Sequence, residues 1–62
     1  FEILIAYDNS DFEKLVEIVN DFQKKGLRVR TENIENLGES DFEIFNFDEE
    51  YVFQNGELKK EE

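Results

Sequence analysis

Residues 1–32 read FEILIAYDNS DFEKLVEIVN DFQKKGLRVR TE, and this stretch decides the fold. Phe1-Glu2-Ile3-Leu4-Ile5-Ala6-Tyr7 is nearly apolar from Ile3 onward, as expected of a central strand covered on both faces. Asp8-Asn9-Ser10 is a cluster of turn residues. Ser10-Asp11-Phe12-Glu13 then matches a capping box, with Ser10 expected at N-cap and Glu13 at N3. Phe12, Leu15, Val16, Val19 and Phe22 recur at helical spacing, and Ile18 widens the stripe. Lys24 and Lys25 suit the negative end of the helix dipole, and Gly26 suits the left-handed position that closes a helix. Leu27 to Glu32 alternates, so a second strand is expected at once. Two strands joined by one helix make a parallel β-α-β unit, right-handed by the crossover rule.

The remainder is richer in strand signals. Ile34 and Leu37 before Gly38 suit one helical turn or a loop. Phe42 to Phe47 is expected to be a strand from its aromatic and β-branched content, although Ser40 to Glu43 repeats the capping-box pattern. Tyr51 to Gln54 is a further strand, and Asn55-Gly56 marks a hairpin that returns through Glu57 to Lys60. The repeated Ser-Asp-Phe-Glu and Phe-Glu-Ile peptides have different spacings, so no duplication is inferred. The expected architecture is a single small α/β (mixed α+β) domain spanning residues 1–62. It has a single-layer sheet of four to five strands, a β-α-β unit followed by a β-meander, and one helix packed on one face.

Composition narrows function mainly by exclusion. A 62-residue chain covers only about 60% of the surface its unfolded form exposes, so its core is thin. With no cysteine and no histidine, disulfides, thiolate sites and the commonest zinc ligand are out of reach, and no cofactor is expected. Seven phenylalanines, self-association, or both must supply apolar burial. The net charge of −10 disfavours nucleic acid and anionic membranes as partners. Neither a membrane span nor a signal peptide is apparent, so a soluble cytoplasmic protein is the expectation if the chain is natural. Proline, cysteine, methionine, tryptophan and histidine are all missing, although about three prolines would be usual at this length. That bias suits an engineered sequence; the single alanine and unbalanced charge suit a natural one.

Several residues invite a chemical reading. Thr31 to Leu58 carries nine carboxylates and no lysine or arginine. Of these, Glu32, Glu35, Glu39, Asp41, Glu43, Asp48, Glu49 and Glu50 form a candidate acidic interaction surface for a basic protein. Asp8 follows a central strand, where open α/β sheets place ligands. It is either a metal-binding or catalytic carboxylate or, as expected here, a turn aspartate bonded to nearby backbone. Asp48-Glu49-Glu50 is read as a solvated turn, since no calcium loop can be drawn around it. Arg28 and Arg30 share one strand face and are expected to make cross-strand salt bridges or to face solvent. Phe42, Phe45, Phe47 and Phe53 lack the basic neighbours of a base-stacking platform, so core packing or an exposed aromatic face for dimerisation is expected.

Ile3 to Tyr7, Asp8, the helix and Gly26-Leu27-Arg28-Val29 resemble the opening of the anticodon-binding domain of histidyl-tRNA synthetase. Tyr7-Asp8 with Gly26, Arg28 and Val29 is also similar to a CRISPR-associated family whose aspartate falls at Asp8. Each resemblance spans about half the chain. Two unrelated families sharing one pattern point to β-α-β geometry, and residues 31–58 lack the basic surface of either. No activity follows from them. The expected function is non-enzymatic: an engineered scaffold without a natural substrate. The alternatives are a module that self-associates as a homodimer through an edge strand or aromatic face, and an acidic nucleic-acid mimic that inhibits a basic protein.

Overall fold

A computed structural model describes residues 1–36 and 47–61. The element order is β1 (Glu2–Tyr7), α1 (Phe12–Lys24), β2 (Arg28–Asn33), a 3-10 turn at Ile34–Asn36, β3 (Glu49–Gln54) and β4 (Glu57–Glu61). The four strands form one sheet in the order β2-β1-β3-β4. Both neighbours of β1 run parallel to it, and β4 returns antiparallel to β3. The described fold is therefore a β-α-β unit and a β-hairpin with one helix packed on the sheet. The expected strand at Phe42–Phe47 lies outside the described residues except for Phe47, which precedes β3. Leu37, Gly38 and the second Ser-Asp-Phe-Glu also lie outside them.

The apolar run of β1 has the expected consequence. Ile3, Leu4, Ile5 and Ala6 are all buried, which alternating strand geometry permits only when both faces are covered. Ile3 and Ile5 join Leu15 and Phe53 in the core beneath α1, with Tyr7, Ile18, Val19, Phe22, Leu27, Val29, Tyr51 and Leu58 packed around them. The Phe22 and Tyr51 rings meet at 5.5 Å between centroids, tilted by 41°. Leu4 and Ala6 face the other way by alternation.

Helix α1 begins one residue later than the capping box implies. Asp11 is the N-cap, and its Oδ1 accepts from the Lys14 N–H at 3.1 Å. Ser10 is diverted because its hydroxyl is engaged by Asp8 and by the Gly56 N–H. At the other end, the Gly26 N–H bonds to the Gln23 carbonyl and the Leu27 N–H to that of Phe22. These two bonds, with Gly26 at φ 83°, make a Schellman motif. Asn55 and Gly56 have φ 54° and 72°, the two positive values that a tight primed hairpin turn requires.

Candidate functional site

Strands β2 and β3 lie on opposite sides of β1, so the carboxyl end of β1 is the topological switch point of the sheet. Open α/β folds bind ligands there because the diverging connections leave a crevice. Asp8 occupies that position and is bonded to the turns around it. Its N–H donates to the Phe53 carbonyl at 2.9 Å. Oδ1 accepts from the Ser10 N–H and hydroxyl, and Oδ2 accepts from the Asn55 N–H at 3.0 Å. Ser10 Oγ accepts from the Gly56 N–H at 2.9 Å, and Lys14 Nζ donates to the Gly56 carbonyl at 2.6 Å. The loop after β1 and the β3–β4 turn are thus fastened together. The Ser10 hydroxyl, then the Asn55 N–H, hold the Asp8 carboxyl below its ordinary value of 3.8, with partial burial opposing them. This geometry has the form of the turn aspartate expected from sequence, extended by a long-range contact.

The acidic window does not converge on one place among its described members. Glu32 is the penultimate residue of β2, and Glu35 follows in the 3-10 turn, its N–H bonded to Asn33 Oδ1. Asp48, Glu49 and Glu50 stand at the start of β3, which runs parallel to β2 two strands away. Parallel strands begin at the same edge of a sheet, so these two groups lie toward opposite ends of it. Asp48 Oδ2 accepts from the Glu2 N–H at 2.7 Å, and the Asp48 N–H donates to the Glu2 carbonyl. Glu49 accepts from the Tyr51 hydroxyl and lies 3.5 Å from Lys60 Nζ. The Tyr51 hydrogen bond holds Glu49 below its ordinary 4.5 and raises Tyr51 above 10.0. Glu39, Asp41 and Glu43 lie outside the described residues. Among the described residues no three acidic side chains are grouped to hold a metal ion.

Arg28 and Arg30 behave as strand-face cations. Arg28 lies 3.9 Å from Glu2 across the β1–β2 ladder, and Arg30 Nε donates to Glu32 at 3.0 Å along its own strand. Exposed pairs of this kind contribute little, about 0–1 kcal/mol.

The sequence anticipates an edge strand without saying which one; β2 edges the described sheet, and the groove beside it is not read from sequence. The Arg28 N–H bonds to the Phe1 carbonyl at 3.0 Å. Main-chain groups alternate in direction along a strand, so those of Arg30 and Glu32 also point toward β1. The N–H and C=O groups of Val29 and Thr31 and the N–H of Asn33 therefore point outward, while the Asn33 carbonyl opens the 3-10 turn. Beside this row runs an apolar groove of about 250 Å³ between α1 and the sheet, walled by Phe12, Leu15, Val16 and Val19 with Tyr7 and Thr31. Phe12 is 62% exposed and Val16 42%. The helical stripe is wider than the sheet beneath it, and its surplus forms the groove. The signal in the sequence is the width of the stripe: six apolar positions on α1 are more than one narrow sheet can cover.

Among the described residues no helix is long and apolar enough to cross a membrane. No protein-family model matches the chain, and no curated protein or solved structure matches it significantly, so function must be argued from its own residues.

Proposed function

We propose that this protein is a non-enzymatic binding module that takes an extended polypeptide segment as an added strand on β2. One observation carries this reading: an outward row of main-chain donors and acceptors at Val29, Thr31 and Asn33 adjoins an exposed apolar groove. Strand addition uses this combination, with main-chain bonds supplying affinity and a side-chain recess supplying selectivity. The opposite edge is less receptive. Strand β4 carries Glu57, Lys59, Lys60 and Glu61 at four of its five positions, and edge charges discourage pairing.

The nucleic-acid-mimic reading needs carboxylates in a continuous phosphate-like row. The described acids stand toward opposite ends of the sheet, and Asp48 and Glu49 are engaged within the fold. They favour the edge over the mimic. An engineered origin is compatible with either.

A neutral octapeptide of alternating valine and threonine tests the proposal without relying on charge. Titrated into isotope-labelled protein, it should shift the Val29, Thr31 and Asn33 amide resonances together with those of the Phe12 ring and Val16 methyls. Shifts confined to β4, or none up to millimolar peptide, would refute it.

A further inference from the structure

We infer that the strand added to β2 is β2 of a second copy of this chain, running antiparallel about a two-fold axis at Thr31. The inference rests on the strand-addition reading and goes further by identifying the occupant. Strand β2 reads Arg28-Val29-Arg30-Thr31-Glu32-Asn33. Its cations precede Thr31 and its carboxylate follows, so the segment is complementary in charge to its own reverse.

Register can be decided residue by residue. Centring the pair on Thr31 makes Thr31 face Thr31 of the second copy and Val29 face Asn33, all with main-chain groups directed across the gap. That gives about four ladder bonds, because the Asn33 carbonyl already closes the 3-10 turn at Ile34–Asn36. Arg30, which donates to Glu32 of its own strand, then also stands opposite Glu32 of the second copy, twice, in the closer non-bonded positions where side chains interact most. Centring on Arg30 offers no more bonds and sets guanidinium against guanidinium; centring on Glu32 sets carboxylate against carboxylate. A one-residue slip would place alternating side chains on the wrong faces. Only the Thr31 register satisfies the ladder and the charges together.

The same operation covers the groove. Thr31 is one of its lining residues, so Val29, Thr31 and Asn33 share the face that carries α1. A two-fold axis perpendicular to the sheet keeps both helices on that face, and the two grooves adjoin across it with Phe12 and Val16 at the junction. Each copy carries a net charge of −10, so approach is opposed at long range. Arg28 and Arg30 lie on β2, and Lys24 and Lys25 precede it, which lowers the repulsion at this edge.

Charge reversal in the intact chain tests the register by sedimentation equilibrium from about 10 µM to about 1 mM at physiological salt. The native chain should dimerise. Arg30→Glu and Glu32→Arg, checked for native circular dichroism, should each weaken the dimer about 30-fold through two reversed cross-strand pairs. An equimolar mixture of these two variants should dimerise again, because each supplies what the other lacks, and the double variant should recover self-association. Thr31→Pro removes an outward N–H without touching the β1–β2 ladder, and should leave a folded monomer. A native chain that stays monomeric at about 1 mM overturns the inference, while the valine-threonine peptide still decides strand addition separately. A dimer that survives all three single substitutions lies on another surface and overturns it too, as does a mixture that remains monomeric.

Discussion

Two phenylalanines allow the packing argument to be tested with one type of substitution. Phe53 is fully buried among Ile3, Ile5 and Leu15, whereas Phe12 is 62% exposed at the lip of the groove. Truncating a buried phenylalanine to alanine costs about 3–5 kcal/mol, combining lost transfer energy with the cavity left behind. Only about two-fifths of Phe12 is covered, and its site opens to water, so no sealed void forms. Scaling the same cost by coverage gives about 1–2 kcal/mol for Phe12→Ala. A domain of this size has about 3–9 kcal/mol of stability to lose. Phe53→Ala is therefore expected to leave the chain at or below the folding threshold, with Phe53→Leu costing about 1 kcal/mol as the measurable intermediate. Urea titration followed by circular dichroism at about 5 µM, where association contributes little, gives each value by linear extrapolation. Finding Phe12→Ala as costly as Phe53→Ala would refute the division of the helical stripe into a core half and a groove half.

The loop clasp predicts its own pH behaviour. Ser10→Ala removes the largest cause of the lowered Asp8 value, so the Asp8 carboxyl carbon should titrate closer to 3.8 by NMR, while Glu49, held by Tyr51, should not move. Both carboxyls are depressed in the folded state. They therefore add stability above their unfolded values of 3.8 and 4.5 that is lost as pH falls through the folded ones, and Ser10→Ala should flatten the Asp8 part of that acid loss. Gly56→Ala meets no neighbouring atom, so its expected cost of about 1–2 kcal/mol in thermal or urea unfolding is purely that of holding a side chain at φ 72°; an unchanged midpoint would show that the turn relaxes to another type.

What the sequence discloses and what it withholds divide along sequence separation. Gly26 at the end of α1 and Asn55-Gly56 in the hairpin were readable because each answers a local demand for positive φ. Strand β1 was readable because four consecutive apolar residues admit one placement in a sheet. The N-cap was misplaced because Ser10 and Asp11 both carry capping side chains. The choice between them is made by the Gly56 N–H, 46 residues away, which claims the Ser10 hydroxyl. The same distance hides the second partner of Asp8, the Asn55 N–H. The described members of the acidic window are neighbours in the chain but separate in the fold, while Glu39, Asp41 and Glu43 lie outside the described residues. Parallel pairing of both β2 and β3 with β1 brings the chain back to the starting edge of the sheet between them, carrying Asp48 to Glu50 away from Glu32.

The clasp at Asp8 also bears on why binding is assigned to the edge and not to the switch point. In larger α/β domains the crevice beyond the parallel strands stays open because long loops surround it. Here β3 is followed by a two-residue turn, which keeps Asn55 and Gly56 close to the end of β1. Their N–H groups reach Asp8 and Ser10 before any external ligand could, and Lys14 secures the Gly56 carbonyl from the first turn of α1. A ligand entering there would have to replace several hydrogen bonds already made, and an anion would also meet the Asp8 carboxylate. A strand added to β2 would replace no hydrogen bond made among the described residues, would gain a ladder from groups that point outward at Val29, Thr31 and Asn33, and would cover Phe12 and Val16. On that comparison, Asp8→Asn should loosen the hairpin and lower stability without altering the response of Val29, Thr31 and Asn33 to the valine-threonine peptide. Loss of that response in a folded Asp8→Asn variant would return the binding site to the carboxyl end of the sheet.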